Sequence, residues 1–399
     1  MRVGSERAEK QRAWNEFGTE CVVCESKCRD LHHIDEDTRH KRWTNRAPVC
    51  PTLNEHIQRV SDDKTYGRLS LIIPTDHASP GTLSDRGDDH FRKGRFRRAY
   101  VCYRLGAYIA RKYLDKPNEA LILASKALYS LRPAFNMELA VEVLRKEVKT
   151  LLADSKSVSR LTDETKLFLC REIGALYFGE TRLTESEVWL ERGLRIARNG
   201  AIPGDGVKAT LGRTSQHKGF VDLFRMDATG LKHLERADDL LGEAGYFTGP
   251  ANNAQHRAFF YIKCGEIGLA DREFERLFLH YSTDLRTSFF DGHLVNAVDS
   301  WGPWLGCGLA LCFAELLVRQ RKPGRAKSLI DSAITVMQDR GIRTQGPIVC
   351  ESTQRFCDRY GRTLPFGLAD RRSWTTFDRI VEWAWNVLAT SQTRGFVLG

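Results

Sequence analysis

Apolar residues recur at two-turn helical spacing almost continuously from Asp89 to the C-terminal region of the chain. This period predicts a series of amphipathic helices. Proline and glycine interrupt it near residue 133, at 200–203, at 249–250 and at 322–324, where we expect turns. Upstream, residues 5–16 have the pattern of a short charged helix. Residues 61–88 are polar and contain several glycines and prolines, so we expect a linker there, with one short strand at 69–73.

Small and large apolar residues follow one another in the predicted helices in an order that repeats. Small residues let two helices approach closely, and large residues fill the space to the next pair of helices. Five successive matches begin at Leu105-Gly106, Ile173-Gly174, Gly230, Ala258 and Ala314. Their second helices contribute further small and large positions, which include Ala120, Ala124, Ala127, Ser186, Leu190, Gly193, Ala237, Ala270, Phe274, Ala326 and Ala333. The order resembles that of the tetratricopeptide family, whose units are helical hairpins.

The expected fold is therefore mainly α, an α-solenoid of tetratricopeptide-like hairpins over residues 89–340. An additional helix is predicted at 137–153. Residues 341–399 are predicted to cap the stack, chiefly through an apolar helix at 374–389. Trp304 and the tryptophans of that last helix are expected in the hydrophobic core.

The N-terminal segment carries cysteine and histidine at spacings that are typical of metal sites. Cys21 and Cys24 form a C-x2-C pair, and Cys50 follows later, which is half of a common zinc site. His32 and His33 are adjacent, so on an extended segment they would face opposite sides. One imidazole could then bind a metal while the other removes a proton from an attacking water. Metal-assisted hydrolysis of a phosphodiester needs this division of labour.

Several of these elements occur in one order. The cysteine pair is followed by His32-His33-Ile34-Asp35, and Asn45 lies 12 residues after His33 and five before Cys50. Over about 40 residues this order resembles the HNH nuclease family. The resemblance implies a small ββα-metal (HNH) domain at residues 1–60, separate from the helical repeats.

The resemblance also implies a role for each matching residue. His33 corresponds to the general base, and Asn45 to the residue that fixes the loop holding that base. His32 and Asn54 correspond to the ligands of the catalytic metal. The family usually has histidine at the Asn54 position, so the segment resembles an HNN-like variant, and His56 is the competing second ligand. An amide oxygen suits Mg²⁺ or Mn²⁺ better than zinc.

The pattern departs from the family at Leu53, where a second cysteine pair would end. A structural zinc site would then have three cysteine ligands, which are Cys21, Cys24 and Cys50. Cys28 or His56 could supply a fourth ligand. Otherwise zinc has been lost and hydrophobic packing takes its place. A plain zinc finger and a decayed module that only binds nucleic acid are further interpretations of the same residues.

A basic run follows the predicted linker. It contains Arg92, Lys93, Arg95, Arg97 and Arg98, with Phe91 and Phe96 between them. One interpretation is a nucleic-acid-binding patch with phosphate contacts and stacking rings. The other is the solvated face of the first repeat helix, with both phenylalanines in the core.

Composition adds little to this picture. The net charge of +10 suits a polyanionic partner, and an odd number of cysteines, 11, indicates reduced thiols rather than a disulfide framework. We expect a cytoplasmic protein with no membrane association, because no signal peptide or membrane-length apolar run is evident.

The expected function is a metal-dependent HNH-type endonuclease that hydrolyses phosphodiester bonds in DNA. Its helical repeats would bind a partner protein, sense a trigger or self-associate, an arrangement known from bacterial antiviral defence. The alternative is a non-enzymatic adaptor with a zinc-stabilised nucleic-acid-binding finger. The two differ in whether DNA is cleaved when Mg²⁺ or Mn²⁺ is present.

Overall fold

The computed structural model describes residues 3–21, 25–33, 46–49, 79–134, 136–153, 155–199, 205–246, 248–280, 295–343 and 371–394, with residues 354, 358 and 361. Within these ranges the chain is mainly helical, as predicted. Two short strands near the N-terminus, β1 (Leu31–His33) and β2 (Arg46–Pro48), form an antiparallel pair. The described residues from 79 onward contain no strand, which agrees with the helical-repeat prediction.

The helices fall into an N-terminal helix, a first group of three, an irregular stretch, four hairpins and a last helix. The N-terminal helix is α1 (Val3–Phe17), and the first group is α2 (Pro80–Arg92), α3 (Phe96–Lys112) and α4 (Pro117–Ala134). The irregular stretch is α5 (Met137–Val143), a π-helical turn at Leu144–Val148, α6 (Lys149–Ala153) and α7 (Ser155–Ser159). The hairpins are α8 (Asp163–Gly179) with α9 (Leu183–Asn199), α10 (Asp205–Phe224) with α11 (Thr229–Glu243), α12 (Thr248–Cys264) with α13 (Ile267–His280), and α14 (Val295–Arg319) with α15 (Pro323–Asp339). The last helix is α16 (Arg371–Arg394).

The predicted linker at 61–88 is wrong at its C-terminal end, because α2 begins at Pro80. The Ser79 hydroxyl accepts a hydrogen bond from the Thr82 amide at 3.1 Å, and Pro80 occupies the first turn. Both are standard features of a helix start. Gly87 lies inside this helix, and the position requires glycine because a Cβ there would be 2.3 Å from the Tyr103 ring. The proline and glycine that indicated a loop thus begin a helix and permit a close contact. The rest of the linker and its predicted strand lie outside the described residues.

The four hairpins share one turn. In each, an amide donates to the helical carbonyl five residues earlier, and the residue before that amide has a positive φ. The hydrogen bonds join Arg182 to Tyr177 (3.1 Å), Asp227 to Asp222 (2.9 Å), Glu266 to Tyr261 (2.8 Å) and Lys322 to Leu317 (2.8 Å). The positive φ angles are 60° at Thr181, 64° at Met226, 82° at Gly265 and 61° at Arg321. A common turn in successive hairpins is the structural counterpart of the repeated sequence order.

Small residues lie where the repeat pattern predicts close helix contacts. A Cβ at Gly174 would lie 2.8 Å from Leu190 Cγ, and the Ser186 hydroxyl donates to the Gly174 carbonyl at 2.8 Å. Between α10 and α11 the approach is closer still, since a Cβ at Gly230 would lie 2.7 Å from the carbonyl oxygen of Gly219. The two backbones therefore touch there with no side chain between them.

One helix from each unit forms an inner row, in which α4, α8, α10, α12 and α14 pack side by side in that order. The sequence pattern assigned α4 to the second position of the first repeat. Its packing against α8 instead gives α4 the position that the first helix of each later hairpin occupies. The first repeat is thus built from three helices, with α3 behind α4 and α2 against both.

The two ends of the row meet. Helix α14 is kinked at Gly302, which has φ 79°, and Pro303 follows. A Cβ at Gly94, in the turn between α2 and α3, would lie 2.5 Å from Pro303 Cγ, and a Cβ at Gly302 would lie 3.0 Å from the Arg92 carbonyl oxygen. The Arg343 amide donates to the Pro133 carbonyl at 2.7 Å. The last hairpin therefore contacts the first helices, and the solenoid encloses a space.

The C-terminal helix was predicted to cap the stack, and its described contacts are elsewhere. Helix α16 packs against α5, α6, α7 and the π-helical turn. Asp378 on α16 accepts a hydrogen bond from the Tyr177 hydroxyl at 2.7 Å, and Trp385 contacts Trp189 with ring centroids 5.7 Å apart. The irregular stretch after α4 has an apolar face, and α16 packs on that face instead of on the end of the last hairpin.

One described segment, Gly302–Arg319 in α14, is long and apolar enough to cross a membrane. It is 67% buried inside the protein. A core helix of a folded domain gives the same signal, and α14 belongs to the inner row.

The contact between α10 and α11 leads to a paired prediction on one helix. Gly230→Ala should lower the free energy of unfolding by about 1–3 kcal/mol, because the new Cβ meets a backbone oxygen that cannot move away. Gly242→Ala, on the same helix with nothing within 4 Å, should raise it by about 0.4–1 kcal/mol. Urea denaturation followed by circular dichroism measures both. Equal shifts of the two variants would contradict the close approach.

Candidate metal centre

The N-terminal module consists of α1, the loop at residues 18–28 and the β1–β2 hairpin. In the hairpin, Leu31 pairs with Pro48, His32 with Ala47 and His33 with Arg46. The two candidate histidines therefore lie on the first strand of an antiparallel pair. Asn45 directly precedes the residue that pairs with His33. The structure describes only the backbone of His32 and His33.

A tight loop precedes the hairpin and holds the first cysteine. Glu20 and Lys27 form an isolated antiparallel bridge. Within the loop the Cys21 amide donates to the Ser26 carbonyl at 2.7 Å, and the Glu25 amide donates to the Cys21 carbonyl at 3.0 Å. These bonds bring the chain at Cys21 back alongside residues 25–28. Cys21 is fully buried, so its thiol faces the interior of the module.

Of the other candidate zinc ligands, only Cys28 lies among the described residues. Cys28 is buried, and its thiol lies 3.5 Å from the carbonyl oxygen of Ser26, to which it can donate. Cys24 and Cys50 lie outside the described residues, as do Asn45, Asn54 and His56. Within the described part of the chain, no three His, Cys, Asp or Glu side chains form a metal-binding group. The zinc and catalytic-metal predictions therefore stay predictions.

Arg46 is a buried residue of the hairpin that the sequence pattern did not single out. Its guanidinium is within 3.3 Å of the Glu6 carboxylate on α1, while its Nε and Nη1 have no hydrogen-bond partner among the described residues. Breaking this pair would leave a buried guanidinium without its carboxylate, which costs free energy of folding. The pair therefore holds α1 against β2. The family pattern emphasises the preceding residue, Asn45. An arginine at the start of a short apolar strand is the sequence signal that could have identified Arg46.

The module shares a hydrophobic core with the first helices of the solenoid. Phe17, Cys21 and Ala47 belong to the same buried cluster as Tyr100 and Cys102 on α3. Burial raises the pKa of the Cys102 thiol, and the nearby Cys21 thiol raises it further. The module is thus packed directly onto α3.

The predicted basic patch lies at this contact. Arg97 pairs with Glu16 at 2.7 Å, Arg98 with Glu20 at 2.9 Å, and Arg95 with Glu25. Burial raises the pKa of Glu16, and the Arg97 and Arg12 charges act in the opposite direction. Three of the five basic residues therefore already have a carboxylate partner on the module.

The remaining members of the patch are exposed. Lys93 pairs with Asp89 on its own helix at 2.8 Å, and Arg92 faces the space inside the solenoid. Phe96 is buried and contacts Phe91 with ring centroids 5.4 Å apart. Phe96 lies in the core, as the second interpretation of this run expected, whereas Phe91 is only partly buried and faces the space inside the solenoid. Phosphate contact by these basic residues stays a prediction.

No protein-family model matches the chain, and no curated protein matches it. The ββα-metal (HNH) domain expected at residues 1–60 therefore stays a prediction.

The cysteine loop leads to a prediction about zinc. Metal analysis of the purified chain should give about one zinc per molecule, and Cys24→Ser should remove it, because a structural site needs all of its thiolates. Cys28→Ser should keep the metal if the Cys28 thiol only donates to Ser26. Less than roughly a tenth of an equivalent in a normally folded protein would mean that the cysteines are only packed.

The pairs between the module and α3 lead to a prediction about stability. Replacing Arg97 and Arg98 with alanine should lower the free energy of unfolding by roughly 0.2–1 kcal/mol per pair, and the loss should shrink at high salt. Limited proteolysis should then cut the module more readily. Lys93→Ala is the control, because Lys93 pairs within its own helix.

A different result would indicate phosphate contact instead. In that case the stability of the double variant would be unchanged. The slope of log K for duplex DNA against log salt would fall by about 0.9 per lost contact.

Proposed function

We propose that the chain is a metal-dependent endonuclease that hydrolyses phosphodiester bonds in DNA through its N-terminal module. The observation that carries the proposal is the pairing of β1 with β2, in which His33 lies opposite Arg46. The HNH resemblance needs the histidine pair on the first strand of a hairpin and the asparagine next to the second strand. The backbone pairing supports the first requirement, and the position of Asn45 in the sequence, directly before Arg46, supports the second.

The surroundings of the hairpin favour a site that is held in place. Ala47 on β2 is fully buried, and Val49 after it is 5% exposed. Arg46 ties β2 to α1, and the loop at residues 18–28 packs beside it on α3. A catalytic base has to be held in one geometry to act, so a strand anchored on a shared core is a suitable support.

The donor set suits a hard divalent cation. His32 and Asn54 would hold Mg²⁺ or Mn²⁺ through an imidazole nitrogen and an amide oxygen, with His56 as the competitor of Asn54. Such a cation, when bound, supplies positive charge next to the phosphate and the leaving oxygen.

The base is the next part of the proposal. His33 would remove a proton from the attacking water, and a neutral imidazole can do this near neutral pH. Asn45 would fix the loop between the strands and so hold His33 in position. The helical solenoid would carry the module and bind the partner that determines when it acts.

The experiment is cleavage of supercoiled plasmid DNA with Mg²⁺ or Mn²⁺, with a chelator as the control. His33→Ala should lower the rate by about 10²–10⁴-fold, because a positioned base contributes that much. Folding and DNA binding should be unchanged.

Variants of the ligands should behave differently from the variant of the base. His32→Ala and Asn54→Ala should lose activity through weaker cation binding, so a higher cation concentration should restore part of the rate. His56→Ala should be mild if Asn54 is the ligand and as severe as His32→Ala if it is not. Cleavage that survives His33→Ala unchanged would refute the assignment, and DNA binding without cleavage would favour the adaptor.

A further inference from the structure

The closed solenoid contains a cavity of about 740 Å³. Its wall is formed by the inner row of helices together with α2 and the kink of α14. The volume is that of a small-molecule site. The contact between Gly94 and Pro303 brings the first and last helices of the row together. The space between the helices is therefore a cavity and not the open groove of a linear solenoid.

The wall is basic. Five basic side chains line it, which are Arg92, Lys126, Arg132, Arg171 and Arg213, against three acidic ones, Asp88, Glu164 and Glu172. Two of the acids are already engaged, because Asp88 pairs with Lys126 at 2.9 Å and Glu172 contacts Arg171. Within the described residues, Arg92, Arg132 and Arg213 have no carboxylate within ion-pair distance. The cavity therefore holds more positive charge than its own wall balances.

Three of the arginines form a cluster, Arg132 on α4, Arg171 on α8 and Arg213 on α10. Their charges are close enough to act on one another: burial lowers the pKa of Arg171 to about 9, and the Arg213 and Arg132 charges contribute. Burial also lowers the pKa of Arg132, to about 10. Glu172 balances one of these three charges, and a further anion would balance the other two.

Arg132 is the most firmly held member of the cluster. It is 3% exposed, and its Nη1 donates to His217 Nε2 at 2.9 Å. His217 is the acceptor because its Nδ1 donates to the Arg213 carbonyl at 2.8 Å, and burial, with the nearby Arg132 charge, lowers the pKa of this histidine. Arg132 also bonds the Tyr129 hydroxyl, while its Nε has no partner among the described residues. Arg132 is thus held in one geometry at the wall of the cavity by His217 and Tyr129.

Each of these arginines lies over an aromatic ring that also lines the cavity. The Arg132 guanidinium lies 4.4 Å from the centre of the Trp304 ring, and that of Arg213 lies 4.7 Å from the Tyr246 ring. The Arg171 guanidinium lies 4.4 Å from the Phe168 ring. All three rings are only partly buried, and Tyr246 is 41% exposed. The wall thus places aromatic rings next to cationic donors.

We propose that this cavity binds a nucleotide, with its phosphates on Arg132, Arg171 and Arg213 and its base against the aromatic rings of the wall. Guanidinium groups bind phosphate oxygens through paired hydrogen bonds, and aromatic rings stack on any base. The proposal does not depend on the nuclease activity of the module.

An acidic peptide fits the observations less well. A bound peptide needs donors and acceptors along its length, and two buried amides near the cavity are already used. Gln216 donates to Asn253 at 2.7 Å and to the Gly249 carbonyl at 3.2 Å, and Asn253 in turn donates to Asp238 at 2.7 Å. Three arginines that act on one another suit a compact anion with several charges better than an extended chain.

The test is calorimetric titration of the full chain without divalent cations, using ATP, tripolyphosphate, adenosine and a polyglutamate peptide as probes. ATP should bind at a single site. It should bind at least roughly fivefold more tightly than tripolyphosphate, because the base adds stacking. Adenosine should bind far more weakly than ATP.

Variants locate the site. Arg132→Gln and Arg213→Gln should each weaken ATP binding by about tenfold or more, since each removes a charge-assisted contact. Arg213 is half-buried and pairs with no described carboxylate, so its variant tests the site even if Arg132→Gln folds poorly. Arg276→Gln, on the exposed face of α13, is the control and should leave affinity unchanged.

Four outcomes would overturn the proposal. They are the absence of ATP binding by the wild-type chain, equal affinity for ATP and tripolyphosphate, tighter binding of the peptide than of ATP, and ATP binding that the Arg213→Gln variant leaves unchanged.

Discussion

The closure of the solenoid depends on the contact between the turn after α2 and the kink in α14. At Gly94 and Gly302 a side chain would collide with Pro303 or with the Arg92 backbone, so the approach is possible only with glycine on both sides. Both glycines also have a positive φ, which favours glycine for a second reason. Together with the hydrogen bond from Arg343 to Pro133, this contact joins the two ends of the inner row.

The segment that contains Gly94 also makes other contacts. Residues 92–98 comprise the turn between α2 and α3 and the adjoining helix ends. Gly94 contacts α14, while Arg95, Arg97 and Arg98 pair with the N-terminal module. Arg92 lines the cavity. One segment of seven residues is therefore in contact with the cavity, with the last hairpin and with the candidate nuclease module. Contiguous packing of this kind is a physical route by which two sites can influence each other.

The order of small and large residues within each hairpin was enough to predict the helical repeats. It did not predict how the helices are arranged relative to one another. The glycines at 174 and 193 and the alanines at 127 and 333 are buried at helix contacts, because a small residue at a fixed helical position has the same use in every hairpin. The start of α2 was missed because Ser79-Pro80-Gly81 reads equally as a loop. The place of α4 in the inner row and the packing of α16 on α5–α7 depend on contacts between distant residues, which periodicity does not encode. Arg132, Arg171 and Arg213 are on three helices, and each resembles an ordinary solvated position until the helices are assembled.

The closed ring also has a consequence for how the chain reaches its fold. Gly94 and Pro303 are separated by roughly two hundred positions in the sequence, as are Pro133 and Arg343, so their contacts are among the most non-local in the molecule. Each hairpin can form as soon as its own two helices exist, because its turn and its glycine contacts are local. The ring can close only after α14 has been synthesised. The N-terminal module packs on α3, so it can dock long before that step, and the cavity is the last part of the solenoid to be completed.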